Sequence, residues 1–247
     1  MKTFETLLSI KERRGAGYFI LLDPDKNDEA QLPDFIQNAT ESGVDAFLIG
    51  GSLILTDGFE RQIALVKKNT NVPVIIFPGG VQQVSRAADA ILFLSLISGR
   101  NAEYLIGNHV LAAPMIKRAN LEAIPTGYML IESGRTTSAE FMSGTRPIPR
   151  NKPDIALAHA LAGELLGLKL LYLEAGSGAE ESVPESMIAA IAKHCTLPLI
   201  VGGGIKKPEE ARSKVAAGAS FVVTGTVMEG KNNHSMIRDF AEAVHQR

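Results

Sequence analysis

The chain has 247 residues, 45% hydrophobic and 21% charged, with a formal net charge of -2. That balance suits one packed globular domain over residues 1–247 and excludes a disordered or fibrous chain. The scattered charges offer no basic stripe for nucleic acid, no apolar run approaches the ~20 residues of a membrane span, the segment from Met1 to Arg14 lacks the apolar core of a secretory signal, and the lone Cys195 excludes an internal disulfide, so a cytoplasmic protein is expected.

Short runs rich in Ile, Leu and Val alternate with longer helix-like segments, the pattern of parallel strands covered by crossover helices. Gly17 to Leu22 and Ala46 to Gly50 come first, and Asp57-Gly58-Phe59-Glu60 then resembles a capping box. The third run, Pro73 to Phe77, is separated from the fourth, Ala90 to Leu94, only by Pro78 to Asp89, which contains Gly79-Gly80 and barely holds a crossover helix. A truncated or missing third helix is expected there, leaving an opening in the outer ring.

The fifth run, Glu122 to Ile131, leads into a polar stretch with Gly and Pro, Glu132 to Lys152, which is long for a strand-to-helix loop and a candidate lid. Pro153-Asp154 opens an Ala- and Leu-rich helix to Leu166, followed by the sixth run, Lys169 to Leu173. Pro184 and Pro208 stand where first-turn prolines belong, and Gly218 where a helix C-terminal glycine does, around the runs Leu197 to Val201 and Ser220 to Val223. Eight strands in this order and length predict an α/β fold, a (β/α)8 TIM barrel with a truncated or missing third helix.

In such a barrel the active site lies at the C-terminal strand ends, and those positions are polar or glycine. After strands seven and eight, Gly202-Gly203-Gly204 and Gly225-Thr226 let backbone N–H groups converge on a phosphate; tight turns alone also use glycine, though rarely three in a row. After strand one, Asp23 and Asp25 are candidate Mg²⁺ ligands, with Asp23 preferred because it ends its strand, and Ser52 can add a neutral oxygen. Asp25 and Lys26 have the alternative of capping the loop. Glu174, beside the Gly-Ser-Gly loop after strand six, is a candidate general base or a salt-bridge partner, and Tyr172 is either site or core. The five histidines, at 109, 159, 194, 234 and 245, lack metal-ligand spacing and read as surface or structural.

Leu22-Asp23-Pro24-Asp25-Lys26, Gly50-Gly51-Ser52, Tyr172 to Gly178, Val201-Gly202-Gly203-Gly204-Ile205 and Thr224-Gly225-Thr226, in this order and spacing, resemble the geranylgeranylglyceryl phosphate synthases and the related heptaprenylglyceryl phosphate synthases across nearly the whole chain. The resemblance implies a Mg²⁺-dependent prenyltransferase of ether phospholipid biosynthesis, in which sn-glycerol 1-phosphate attacks C1 of geranylgeranyl diphosphate or a similar prenyl diphosphate and releases diphosphate. It implies that Asp23 and Ser52 hold Mg²⁺, and that Tyr172, Leu173, Glu174, Ala175, Gly176, Ser177, Gly178, Gly203, Gly204, Gly225 and Thr226 bind glycerol 1-phosphate. It implies too that Glu174 takes the hydroxyl proton, and the gap at the third connection is the expected place for the prenyl tail.

A lysine that the shorter bacterial branch tends to carry two residues before the metal aspartate is Leu21 here. The longer loops and the Asp23-Pro24-Asp25-Lys26 motif resemble the archaeal-type second group, which implies a homo-oligomer, dimer or hexamer. The competing expectation is a barrel isomerase or lyase acting on a small sugar phosphate, which would need neither Mg²⁺ nor a lipid groove. A third is a non-catalytic barrel that binds a phosphorylated metabolite. Lys169, at the start of strand six, points to the wrong end of the barrel for a Schiff base.

Overall fold

A computed structural model describes residues 2–225 and 234–246. Eight parallel strands close into a barrel in sequence order, with β1 paired to both β2 and β8. The strands are β1 (Gly17–Leu22), β2 (Ala46–Ile49), β3 (Val74–Ile76), β4 (Ala90–Leu96), β5 (Glu122–Leu130), β6 (Leu170–Glu174), β7 (Leu199–Gly202) and β8 (Phe221–Thr224). Around them run α1 (Thr3–Arg14), α2 (Leu32–Glu41), α3 (Phe59–Lys68), α4 (Asn108–Ala119, entered through a π-helical turn at Glu103–Gly107), α5 (Ser138–Ser143), α6 (Pro153–Leu165), α7 (Glu185–His194), α8 (Pro208–Ala216) and α9 (His234–Val244).

Parallel strands are covered on both faces, so their sequences are apolar almost without interruption. Alternate residues divide the core in two. Phe19, Leu48, Ile75, Leu92, Leu170, Tyr172, Ile200 and Phe221 fill the barrel interior, while Ile20, Phe47, Ile76, Leu171, Leu173 and Val222 face the helices. At the amino ends of the strands, Leu7 and Ile10 of α1 plug the interior layer. The carboxylate of Glu122, on the first residue of β5, anchors this plug by accepting the backbone N–H groups of Thr3 at 2.5 Å and Phe4 at 3.3 Å. Lys169 lies at this same end, 5.7 Å above the Phe4 ring, as expected of a residue preceding its strand.

No helix joins β3 to β4; residues 77–89 form turns, so the expected third helix is missing. In its place the buried Gln83 pins the strand ends together. Its Nε2 donates to the carbonyl of Gly51 at 2.8 Å, and its Oε1 accepts the N–H of Gly79 at 3.1 Å.

Several boundaries differ from expectation. The motif at Asp57 is not a capping box: Gly58 is the N-cap of α3, in helical conformation, and no side chain caps it. A cap needs extended backbone to turn its side chain onto the free N–H groups, and Gly58 at φ -86°, ψ 0° provides neither. Pro184 precedes the first turn of α7 instead of sitting in it, whereas Pro153 and Pro208 do open their helices. Ile131 leaves β5 to form an isolated bridge with Ile148, which folds the lid back on itself.

Candidate active site

The mouth has a carboxylate half, over β1 and β2, and a glycine half, over β6 to β8. In the first, Asp23 follows the last residue of β1, with 28% of its side chain exposed. Its Oδ1 accepts the N–H of Asp25 at 3.1 Å and its Oδ2 lies 3.4 Å from the Lys26 ammonium. Ser52 follows on the neighbouring strand, and Gly51 approaches so closely that a Cβ there would stand 3.5 Å from Asp23 Oδ1. Asp25 has a different task. Its carboxylate accepts the N–H of Leu55 at 2.8 Å, the N–H of Thr56 at 3.1 Å and the Thr56 hydroxyl at 2.7 Å, which hold its pKa below the ordinary value. Asp25 thus braces the loop carrying Ser52 against the loop carrying Asp23. Gln62 Nε2 adds a second tie, donating to the Pro24 carbonyl at 2.7 Å.

In the second half, Glu174 ends β6 and is 5% exposed. Desolvation in this pocket raises its pKa to about 7, against the opposing pull of the Gly176 N–H, at 2.5 Å from Oε1, and the Tyr172 hydroxyl. A carboxylate so placed exchanges a proton near neutral pH. The loops around it approach closely: Gly203 has φ +83°, and a Cβ on it would stand 2.5 Å from Gly176 N and 2.6 Å from Glu174 Oε1. Only glycine fits there, and the arrangement leaves a cradle of peptide groups suited to an anion.

Between the halves an apolar groove runs out through the gap of the missing helix. It begins at Gly51 and Ser52. Its walls include Val84, Phe93, Ala112, Ile116 and Tyr128, and Met142 of α5 covers it. The ring of Phe77 stacks on Tyr172 at 4.9 Å and meets Tyr128 edge-on at 5.7 Å, so an aromatic cluster separates groove from cradle.

The structure gathers Asp23, Ser52, Tyr172, Glu174, Gly176, Ser177, Gly178, Gly203, Gly204 and Gly225 at one end of the barrel. Leu173 and Ala175 have side chains buried toward the helices, so they reach the cradle only through their backbone. Thr226 lies outside the described residues. Leu21 Cβ stands 3.6 Å from where a Cβ of Gly225 would be, which puts a neutral side chain beside the cradle. Sequence reasoning missed His109, which lines the groove with its ring edge-on to Phe93 at 4.5 Å. Both its ring nitrogens are buried, and desolvation lowers its pKa. A histidine inside a long helix carries no signal of such a place.

Among the described residues no group of three or more His, Cys, Asp or Glu side chains converges as a metal cage. A cation held at Asp23 would therefore take most of its ligands from elsewhere, as Mg²⁺ does when it binds through one or two carboxylates plus phosphate oxygens and waters. The partly exposed Asp23 carboxylate beside Ser52 fits that mode.

A peptide-lined cradle suited to an anion, with an apolar groove on the far side of an aromatic cluster, defines a (β/α)8 barrel with room for a phosphorylated ligand and a second, apolar one. The chain belongs to the PcrB family, whose model matches residues 8–244. It is 43% identical to the geranylgeranylglyceryl phosphate synthase of Chitinophaga pinensis over 99% of this chain and 96% of that one. It is 41% identical to the enzyme of the same name from Thermococcus kodakarensis, over 98% and 96%. The crystal structure of (S)-3-O-geranylgeranylglyceryl phosphate synthase from Thermoplasma acidophilum, in complex with its substrate sn-glycerol 1-phosphate, superposes with a TM-score of 0.94 at 32% identity over the whole of both chains. A thiamine phosphate pyrophosphorylase from Pyrococcus furiosus, at 14% identity and a TM-score of 0.59, shares the fold alone.

Proposed function

We propose that this protein joins sn-glycerol 1-phosphate to a prenyl diphosphate through an ether bond and releases diphosphate. The observation that carries this reading is Glu174, a carboxylate whose pKa burial raises to about 7, set in the glycine cradle and bonded to Tyr172, whose ring belongs to the aromatic cluster that walls the apolar groove. The glycerol phosphate anion sits on the backbone of Gly176 to Gly178, Gly203, Gly204 and Gly225, with its hydroxyls toward Glu174. One hydroxyl oxygen attacks C1 of the prenyl chain, the C–O bond to diphosphate breaks with its electron pair, and the hydroxyl proton passes to the Glu174 carboxylate. The Tyr172 hydroxyl and Gly176 N–H stabilise that carboxylate before transfer.

Asp23 and Ser52 would hold Mg²⁺, which when bound neutralises charge on the leaving diphosphate. The groove takes the prenyl tail and keeps water from the reacting carbon. The resemblance also leads us to propose a homo-oligomer, dimer or hexamer, which sedimentation measures directly.

Labelled sn-glycerol 1-phosphate, incubated with a panel of prenyl diphosphates with Mg²⁺ and with chelator, tests the reading. A lipid-soluble product formed only with Mg²⁺ is expected. No product from any chain length would return the barrel to the sugar-phosphate isomerases and lyases, which have no use for an apolar groove.

A further inference from the structure

We infer that Arg135, on the lid after β5, is a binding residue for the phosphate of the acceptor, supplying the cation that the glycine cradle lacks. This role rests on the acceptor assigned above. The lid does not hang free over the site. It lies along the loop after β6 in antiparallel register: the Glu181 N–H donates to the Ser133 carbonyl at 3.3 Å, and at three further points a Cβ added to one strand would collide with the other. A Cβ on Gly134 would stand 2.9 Å from Glu180 Oε2, one on Gly178 would stand 2.9 Å from Arg135 Nη2, and one on Gly176 would overlap Thr137.

The guanidinium of Arg135 is therefore laid directly on Gly178, whose φ of +68° and missing side chain make room for it. That places it at the edge of the peptide groups that hold the anion.

Charge balance at the cradle supports the assignment. Backbone N–H groups carry only partial charge, and a phosphate monoester carries between one and two negative charges near neutral pH. Other cations of the rim are engaged: Arg150 pairs with Glu181 at 3.1 Å, the Lys206 ammonium donates to the Glu180 carbonyl at 3.1 Å, and Lys26 lies 3.4 Å from Asp23. Leu21, beside Gly225, contributes none. Among the described residues no carboxylate is paired with the Arg135 guanidinium, and its planar fork of N–H donors matches two phosphate oxygens.

Because Arg135 is exposed, its replacement leaves the barrel core untouched. The test is calorimetric binding of sn-glycerol 1-phosphate to the full chain, wild type against Arg135→Gln and Arg135→Lys, with thermal melting as a check on folding. Arg135→Gln should weaken binding by about tenfold or more, the usual scale for a charge-assisted contact, with an unchanged melting temperature; Arg135→Lys should recover part of the loss. In turnover the loss should appear in KM for glycerol phosphate and leave KM for the prenyl diphosphate in place. Equal affinity in wild type and Arg135→Gln would overturn the role of Arg135 alone. Absence of glycerol 1-phosphate binding by the wild type would overturn the assigned acceptor, and this role with it.

Discussion

The hydroxyl of Tyr172 bonds to the carboxylate of Glu174, two residues further along the same strand. Residues two apart on a strand face the same side, so β6 carries the candidate base and its stabilising donor into the barrel together. Burial raises the tyrosine pKa well above its ordinary value, which favours the protonated phenol as the donor. Tyr172→Phe should remove this support and raise the pKa of Glu174 by about one unit, the scale of one hydrogen bond to a charged group. The acid limb of the kcat/KM profile, set by a base with pKa about 7, should move upward correspondingly. An unmoved limb would detach the phenol from the base.

Glu174→Gln separates chemistry from stability. The variant should lose turnover by about a hundred- to ten-thousand-fold, the range of general-base catalysis, while still binding glycerol phosphate. Its stability should change in the opposite direction. The folded pKa of about 7 exceeds the ordinary 4.5, so the native state favours the protonated acid, and the burden of the buried charge grows as pH rises from 4.5 through 7. Two and a half decades of proton affinity correspond to roughly 3 kcal/mol, lost from the wild type above neutral pH and absent below the unfolded value. Denaturation of the two proteins should therefore diverge at alkaline pH and converge in acid.

Asp25→Ala removes three acceptor contacts that fix residues 55 and 56. Asp25 is not placed at the proposed cation, so the variant should raise the Mg²⁺ concentration needed for half-maximal rate while the rate at saturating Mg²⁺ stays near wild type. A Mg²⁺ titration distinguishes this from Asp23→Ala, which should lose the saturating rate itself.

Gly203→Ala tests the cradle. A methyl group would meet Gly176 N and Glu174 Oε1 at 2.5 and 2.6 Å, in a backbone region that L residues rarely adopt. A cost of about 1–3 kcal/mol in stability and loss of glycerol phosphate binding are expected, read by melting and calorimetry.

Ala112→Trp places a large ring in the groove wall without touching Glu174 or Asp23. Turnover should persist with short prenyl diphosphates and fall with long ones, measured by comparing kcat/KM across chain lengths.

Much of this molecule was legible in one dimension because parallel strands declare themselves as unbroken apolar runs, and every strand end fell within two residues of expectation. A truncated or missing third helix was equally readable, since residues 78–89 barely hold one, and the structure has none there. What stayed hidden depends on tertiary approach. Nothing around Gln83 announces a buried amide joining two loops, and Arg135 meets Gly178 across 43 positions of sequence. Asp25 could be listed as a metal candidate from its neighbours, but only Leu55 and Thr56 reveal it as a brace. The motif at Asp57 misled because residue types suited to capping occurred without the backbone geometry that capping requires.

The absent helix leaves the barrel with a thin seam. β3 has three residues, and only Ile75↔Ala90 and Ile76↔Ile91 register it against β4. Elsewhere the wall is insulated by a helix, whereas here the insulation is whatever occupies the groove. An apolar chain lying there would act as a removable piece of the hydrophobic core. Capturing it would tighten the native state through mass action, and amide exchange at residues 75, 76 and 91 would slow in proportion to its affinity.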